Sequence, residues 1–117
     1  MRSITVQELK AAMDSGEVAM TDATDATDAA SAKAVLVDVR EPYEFAEGHL
    51  PGAELAPMQT VPTLVPSLPT DRPVYLVCAT GNRSGQVADY LSRFGIDAVN
   101  VAGGTADWLR AGYPVER

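Results

Sequence analysis

Cys78 is the only cysteine in the 117 residues, and it stands between a run of strand-forming residues (74–77) and a glycine-containing polar loop. A thiol at the carboxyl end of a buried strand, followed by a loop and a helix, lies where backbone N–H groups and the positive end of the helix can converge on an anion. Both effects lower the pKa of a thiol and favour the thiolate form. The sequence therefore predicts a nucleophilic cysteine at this position.

The residues after Cys78 decide between a reactive cysteine and a buried structural one, which its position alone leaves about equally open. Gly81 permits a positive φ and a close approach of a ligand to the backbone. Arg83 adds a permanent planar cation that suits oxyanions. A structural cysteine needs neither feature, so the loop favours catalysis. The other polar residues can fix a tight loop or cap the next helix, and they are Thr80, Asn82 and Ser84.

Strands and helices alternate along the chain and must position this loop. Short, almost continuous apolar runs at 35–39, 74–77 and 98–101 predict strands that are buried on both faces of a parallel sheet. A shorter strand is predicted near 54–56. We therefore expect an α/β fold with a central, mainly parallel sheet and helices on both faces. In such sheets ligands bind beyond the carboxyl ends of the strands, which is where Cys78 falls.

Caps and prolines delimit the helices between these strands. Thr5 and Glu8 form a capping-box pattern that begins a first helix, and Pro42 occupies the first position of a second. Five prolines between residues 57 and 73 allow only short, broken helices there. Thr105 is expected to cap the last helix. Apolar residues at helical spacing predict the helix that follows the Cys78 loop, and they are Val87, Ala88, Leu91 and Phe94.

The charge of the chain limits its partners. Sixteen acidic residues against nine Lys and Arg give a formal net charge of −7. Nucleic acids and anionic membranes both require a basic surface, so neither is expected as a partner. An anionic substrate would have to be attracted by a local positive site, and Arg83 is the candidate for that site.

Length and composition predict a single domain that spans residues 1–117. Three copies of a Thr-Asp-Ala triplet fall within residues 21–33, a segment that we expect to form a flexible surface insert. One cysteine cannot form an intramolecular disulfide, and no apolar run approaches the ~18 residues of a membrane span. We therefore expect a cytoplasmic protein.

Several segments together resemble the signatures of one family. Residues 78–84, Cys-Ala-Thr-Gly-Asn-Arg-Ser, are similar to the active loop of the single-domain rhodaneses, whose pattern is approximately Cys-x-x-Gly-x-Arg-Ser. Residues 36–45 and 48–53 resemble two further signatures of that family, and residues 103–108 and 112–115 resemble its usual ending. These segments occur in the family's order and cover nearly the whole chain. The chain is therefore identified as a member of the rhodanese-like sulfurtransferase family.

This resemblance implies a three-layer α/β domain with a mainly parallel five-stranded sheet, and it implies sulfur transfer without a metal or an organic cofactor. The Cys78 thiolate would take the sulfane sulfur of thiosulfate or a similar anion, and an external thiol, cyanide or a protein acceptor would collect it from the persulfide. Arg83 would orient the anionic group of the donor, or alternatively brace the loop. The loop residues that would stabilise the anionic sulfur are Ala79, Thr80, Gly81, Asn82, Arg83 and Ser84.

Three alternatives belong to other functional classes. Cysteine phosphatases use a similar loop, but their pattern has five residues between cysteine and arginine, whereas four separate Cys78 from Arg83. No residue stands out as the general acid that a phosphatase needs. A non-catalytic regulatory module of the same family usually lacks the cysteine. A persulfide carrier dedicated to one protein partner fits the sequence as well as a broad thiosulfate sulfurtransferase does.

Three further positions receive a structural interpretation. Asp38 and Arg40 flank Val39 at the end of a predicted buried strand, and we expect them to form a partly buried ion pair that supports the site. His49, the only histidine, lies in a Gly-His-Leu-Pro-Gly turn to which the resemblance assigns a structural role. Trp108 is expected to pack in the core or at its rim.

Overall fold

A computed structural model of the chain describes residues 1–16 and 35–117, and these residues form one sheet that is covered by helices on both faces. The strands pair in the order β1-β5-β4-β2-β3, and every pair is parallel. The expected α/β fold with a five-stranded sheet is therefore confirmed, whereas the Thr-Asp-Ala segment at 21–33 lies outside the described residues. The strands are β1 (Arg2–Ile4), β2 (Val35–Asp38), β3 (Glu54–Leu55), β4 (Val74–Val77) and β5 (Ala98–Val101).

The helices begin and end mostly where caps, prolines and glycines predict. The capping box of α1 is present, because the Thr5 hydroxyl oxygen accepts a bond of 3.1 Å from the Glu8 N–H and the Glu8 carboxylate accepts one of 2.9 Å from the Thr5 N–H. Short 3₁₀ turns flank α3 in the proline-rich segment, as expected for a broken helix. The helices are α1 (Val6–Asp14), α2 (Pro42–Glu47), α3 (Val61–Leu64), α4 (Asn82–Ser92) and α5 (Gly104–Arg110).

Three details differ from the sequence-based expectations. The edge strand β1 was not predicted, because it is three residues long, largely exposed and paired only with β5. Thr105 does not cap α5, since Gly103 takes the N-cap position with a φ of 81° and the helix begins at Gly104. Phe94 is half exposed because α4 ends at Ser92, so it does not join the apolar face of that helix.

The two faces of the sheet carry separate apolar clusters, and this alternation places Cys78. Along β4, Tyr75 and Val77 pack in the cluster beneath α1 and α5, whereas Leu76 and Cys78 pack in the cluster beneath α4. Trp108 is fully buried in the first cluster, and its indole N–H donates to the Pro114 carbonyl at 2.7 Å, as a buried indole requires. Cys78 therefore lies at the carboxyl end of the sheet, on the face that α4 covers. Within the described residues, no helix has both the length and the apolar character needed to cross a membrane.

Candidate active site

The sulfur of Cys78 is held by hydrogen-bond donors from the loop and from the first turn of α4. The residue is 1% exposed, and its Sγ accepts bonds from the Gly81 N–H at 3.1 Å and from the Ser84 hydroxyl at 3.3 Å. Burial alone raises the pKa of a thiol, but the Ser84 hydroxyl and the backbone N–H groups of Ser84, Gly81 and Thr80 outweigh it and lower the pKa of Cys78 below its usual value. The arrangement therefore favours the thiolate.

Gly81 is required by the geometry of this loop. Its φ is +104°, a left-handed conformation that side chains rarely adopt, and it forms the N-cap of α4. A Cβ at this position would lie 3.2 Å from the backbone nitrogen of Gly103, which belongs to the neighbouring loop. A larger residue would therefore displace the N–H that points at the sulfur.

The start of α5 holds the backbone of the nucleophile from behind. The Cys78 carbonyl oxygen accepts bonds from the Thr105 N–H at 2.9 Å and from the Thr105 hydroxyl at 3.1 Å. The Ala79 carbonyl accepts another from the Ala106 N–H at 2.9 Å. A Cβ on Gly104 would overlap the Cys78 carbonyl oxygen, so only glycine allows this approach. Sequence reasoning missed this contribution, although Gly103-Gly104 before a helix was its visible signal.

Ser84 connects the sulfur to a buried amide on β5. Its hydroxyl oxygen lies 3.3 Å from the Cys78 sulfur and 2.6 Å from Oδ1 of Asn100. A hydroxyl carries one hydrogen, so Ser84 donates to one of these acceptors at a time. A thiol can donate its own hydrogen to Ser84, which then donates to Asn100, whereas a thiolate has no hydrogen and accepts the one from Ser84. The hydroxyl can therefore follow the charge on the sulfur.

Arg83 forms a two-pronged ion pair with Glu44 of α2. Its two terminal nitrogens donate to the two carboxylate oxygens at 2.8 and 3.0 Å. Glu44 also accepts a bond of 2.9 Å from the Glu41 N–H at the start of α2. The Arg83 hydrogen bond is the largest influence on Glu44 and, against the effect of burial, it lowers the pKa of that carboxyl to about 2. The helix that follows the active loop is thus tied to α2 by a permanent pair of charges.

Asp38 and Arg40 form a second ion pair, at the end of β2. The Asp38 carboxylate accepts bonds of 3.0, 3.1 and 2.8 Å from the Arg40 side chain and one of 3.0 Å from the Arg40 backbone N–H. The guanidinium also donates to the Gly48 carbonyl at 2.8 Å, which joins the two ends of the α2 segment. Both side chains are buried. The pair therefore holds in place the segment whose helix, α2, carries Glu44.

The remaining site residues named from the sequence contribute mainly through the backbone. Ala79 supplies a carbonyl to α5, the Thr80 N–H helps to lower the pKa of Cys78, and Asn82 begins α4. His49 belongs to a different contact, since its ring stacks on Phe45 with 3.6 Å between the ring centroids. The loop after β4 therefore forms the site together with Glu44, Asn100 and Thr105, three side chains that sequence reasoning did not include.

Comparisons with known proteins show which family the chain resembles. The family model of the rhodanese-like domain matches residues 5–111. A protein of Allochromatium vinosum named sulfurtransferase is 40% identical over 82 residues, which are 69% of this chain and 77% of that protein. The crystal structure of a rhodanese-like domain protein from Staphylococcus aureus has a TM-score of 0.76 and 37% identity and covers 100% of both chains.

A further solved structure bears on the chemistry. A protein of unknown function from Rhodopseudomonas palustris, described as a possible tyrosine phosphatase, has a TM-score of 0.78 and 25% identity, with coverage of 99% of this chain and 85% of that one. Its likeness is weaker in sequence than that of the staphylococcal protein. The family match covers most of the chain and includes the whole Cys78 loop, so the chain belongs to the rhodanese-like domain family.

Proposed function

We propose that this protein is a sulfurtransferase that carries sulfur as a persulfide on Cys78. The observation that carries the proposal is the sulfur itself, which accepts hydrogen bonds from Gly81 and Ser84 and whose pKa is lowered despite burial. A thiolate in a ring of N–H and O–H donors is both a nucleophile and a place where a terminal, negatively charged sulfur can be stabilised. The relative named sulfurtransferase supports the same chemistry.

In the first half-reaction the Cys78 thiolate attacks the outer sulfur of a donor such as thiosulfate. A new S–S bond forms to Cys78, the S–S bond of thiosulfate breaks, and sulfite leaves with the electron pair of that bond. The attacked sulfur becomes the terminal atom of the persulfide. Because Cys78 has almost no exposed surface, the donor must present this sulfur end-on at the loop.

In the second half-reaction an external nucleophile removes the terminal sulfur and regenerates the thiolate. These 117 residues contain no second cysteine that could do so. Cyanide, a small thiol or a thiol of a protein partner can serve as the acceptor, and none of these steps calls for a metal or an organic cofactor. A carrier dedicated to one protein partner follows the same chemistry with a narrower choice of acceptor.

Arg83 has two candidate roles, bracing of the loop and orientation of the donor. Two of the five N–H donors of its guanidinium are committed to Glu44. This pair favours bracing as the first role of Arg83, because it joins α4 to α2 whether or not a donor is bound. Orientation of the anionic group of the donor by the other N–H donors stays a prediction, as does a location in the cytoplasm.

Phosphate hydrolysis is the main rival, and the structure described as a possible tyrosine phosphatase gives it weight. The loop argues against it. Four residues separate Cys78 from Arg83, one fewer than in the phosphatase pattern, and Glu44 occupies the two terminal nitrogens of the guanidinium, an edge that could otherwise bind a phosphate dianion. Sulfur transfer therefore accounts for the site better.

The proposal is tested by incubating the purified protein with thiosulfate and measuring its intact mass. We expect a gain of one sulfur atom that cyanide removes, and no gain in Cys78→Ser. A wild-type protein that gains no sulfur but hydrolyses an aryl phosphate would contradict the proposal and favour the phosphatase. A protein that does neither, and that also gains no sulfur from an alkyl persulfide, would favour a non-catalytic module.

A further inference from the structure

Among the described residues, the two arginines that follow β2 and β4 are each paired with a carboxylate. Arg40 is bound by Asp38, and Arg83 is bound by Glu44 through both terminal nitrogens. The thiolate is close enough to Arg83 to contribute, after Glu44, to raising the pKa of that guanidinium. The arginine that would attract an anionic donor to Cys78 is therefore already neutralised before any donor arrives.

A dianionic donor meets an unfavourable field at this site. Thiosulfate carries two negative charges, the attacking sulfur carries one, and the whole chain carries a net charge of −7. The three charges of the reacting groups must approach within bonding distance, and in the part of the chain that the structure describes the hydrogen bonds to the sulfur and the start of α4 oppose their repulsion. A donor with less charge avoids most of this repulsion.

We propose that Glu44 is a specificity-determining residue, which, by neutralising Arg83, disfavours dianionic donors such as thiosulfate and favours organic persulfides. The proposal rests on sulfur transfer at Cys78 as the function of the site. It predicts that thiosulfate is a poor donor for this chain and that the charge at position 44 determines the rate of persulfide formation with thiosulfate.

The chemistry with an organic persulfide balances without a dianion. The reacting form R–S–SH is neutral, and the Cys78 thiolate attacks its terminal sulfur. The Cys78–S bond forms, the S–S bond of the donor breaks, and the thiolate R–S⁻ leaves with the electron pair. The product is Cys78–S–SH, so the total charge at the site stays at −1 throughout, compared with −3 for the reaction with thiosulfate.

The Glu44→Gln substitution tests the effect of the charge separately from the other contacts of this side chain. The Glu44 carboxylate also accepts the Glu41 N–H at the start of α2, and a glutamine carbonyl can accept the same bond. Glu44→Gln therefore removes the neutralising charge but keeps the capping contact. Glu44→Asp keeps the charge on a shorter side chain and should retain the preference of the wild type.

A matched control is available at the other end of α4. Asp89 pairs with Arg93 at 3.2 Å, and both side chains are exposed. Asp89→Asn changes the net charge of the chain by the same amount and also breaks an arginine–carboxylate pair. Asp89 is five residues beyond Ser84, which places it about 7.5 Å farther along the helix axis than the residue whose hydroxyl contacts the sulfur.

The experiment measures the rate of persulfide formation on Cys78 in a single turnover, by quenching and intact mass, with thiosulfate and with a short alkyl persulfide that has no other charged group. We expect the wild type to react faster with the alkyl persulfide. Glu44→Gln should raise the rate constant for thiosulfate about tenfold and change that for the persulfide less than about twofold, and added salt should shrink the gain. Asp89→Asn should change neither rate more than about twofold.

Several outcomes would contradict the inference, each for a different reason. If Glu44→Gln slows both donors equally, Glu44 only braces the loop and the specificity role is wrong. If the ratio of the two rates is the same in the wild type and Glu44→Gln, or if Asp89→Asn changes the ratio as much, the specificity role is also wrong while sulfur transfer stands. If Glu44→Asp behaves like Glu44→Gln, geometry and not charge sets the preference. If neither donor adds sulfur to the wild type, the proposed function itself fails, and the inference fails with it.

Discussion

The two arginine–carboxylate pairs at the carboxyl edge of the sheet have similar hydrogen bonds and very different surroundings. In both, an arginine donates to the two oxygens of a carboxylate at about 3 Å or less. Asp38 ends β2 and Arg40 follows it two residues later, and their side chains are 0% and 7% exposed. Glu44 and Arg83 come from different helices, and their side chains are 19% and 36% exposed.

This difference separates a pair that shapes the fold from one that can tune the chemistry. A buried charge without its partner is strongly unfavourable, so the Asp38–Arg40 pair cannot be altered without loss of the loop. A partly exposed pair contributes less to stability, because water already solvates part of both groups. The Glu44–Arg83 pair can therefore change during evolution with little cost in stability, and it lies beside the reactive sulfur. Each of the following predictions tests one side of this comparison.

The largest effect is expected from Asp38→Asn. Among the described residues, the substitution leaves the buried Arg40 guanidinium with the Gly48 carbonyl and an amide as its partners. We expect the free energy of unfolding to fall by about 3–5 kcal/mol, measured by urea denaturation. Asp71→Asn is the matched control, since it breaks a pair with Arg72 in which the Asp71 side chain is mostly exposed, and it should cost less than about 1 kcal/mol. Equal losses in the two variants would remove the distinction between buried and exposed pairs.

The second largest effect is expected on the reactivity of the Cys78 thiol, and it tests whether a hydrogen bond or an ion pair sets the pKa of that thiol. The hydrogen bond from the Ser84 hydroxyl is, after burial, the largest influence on the pKa of Cys78. Ser84→Ala should raise that pKa and slow alkylation by iodoacetamide at neutral pH on the order of tenfold, because a hydrogen bond to a charged group contributes about 1.5–3 kcal/mol. The pH profile of alkylation should move to higher pH.

Ser92→Ala is the control for this prediction, because the Ser92 hydroxyl donates to the Asp89 carbonyl at the far end of the same helix. It should leave the alkylation rate unchanged. If Glu44→Gln alters alkylation more than Ser84→Ala does, the ion pair and not the hydrogen bond sets the reactivity of the thiol, and the assignment of roles to the two kinds of contact is wrong.

The parts of the molecule that could be predicted from sequence are the local ones. The strand, the loop and the helix around Cys78 are continuous in the chain, so an apolar run, Gly81 and the polar residues after it were enough to predict them. The capping box of α1 is local for the same reason. Strand β1 was missed because three largely exposed residues at a sheet edge carry no apolar pattern.

The missing site residues come from other elements. Glu44 meets Arg83 across 39 positions of sequence, Thr105 meets the Cys78 carbonyl across 27, and Asn100 meets Ser84 across 16. Each contact depends on the order of the strands, which brings the loop after β4 between those after β2 and β5. A single sequence does not reveal which acidic residue of α2 will reach an arginine on α4, so the partner of Arg83 became visible only in the folded chain.

The smallest effect is expected in the pH dependence of stability, and it tests whether the Glu44–Arg83 pair is as weak as its exposure implies. The pKa of Glu44 falls from 4.5 to about 2, which corresponds to about 3 kcal/mol at most, and the exposure of Arg83 reduces this to about 1–2 kcal/mol. Because the pKa is lower in the folded state, the stabilisation is fully present above pH 4.5 and is lost as the pH falls towards 2.

Wild type should therefore be more stable than Glu44→Gln at pH 7, and the two should converge near pH 2 in urea titrations. Asp89→Asn, which breaks a largely exposed pair, should differ from the wild type by less than about 1 kcal/mol at every pH. A difference of about 3–5 kcal/mol between wild type and Glu44→Gln would place this pair with Asp38–Arg40 as a determinant of the fold. Position 44 would then not be free to change the preference for donors.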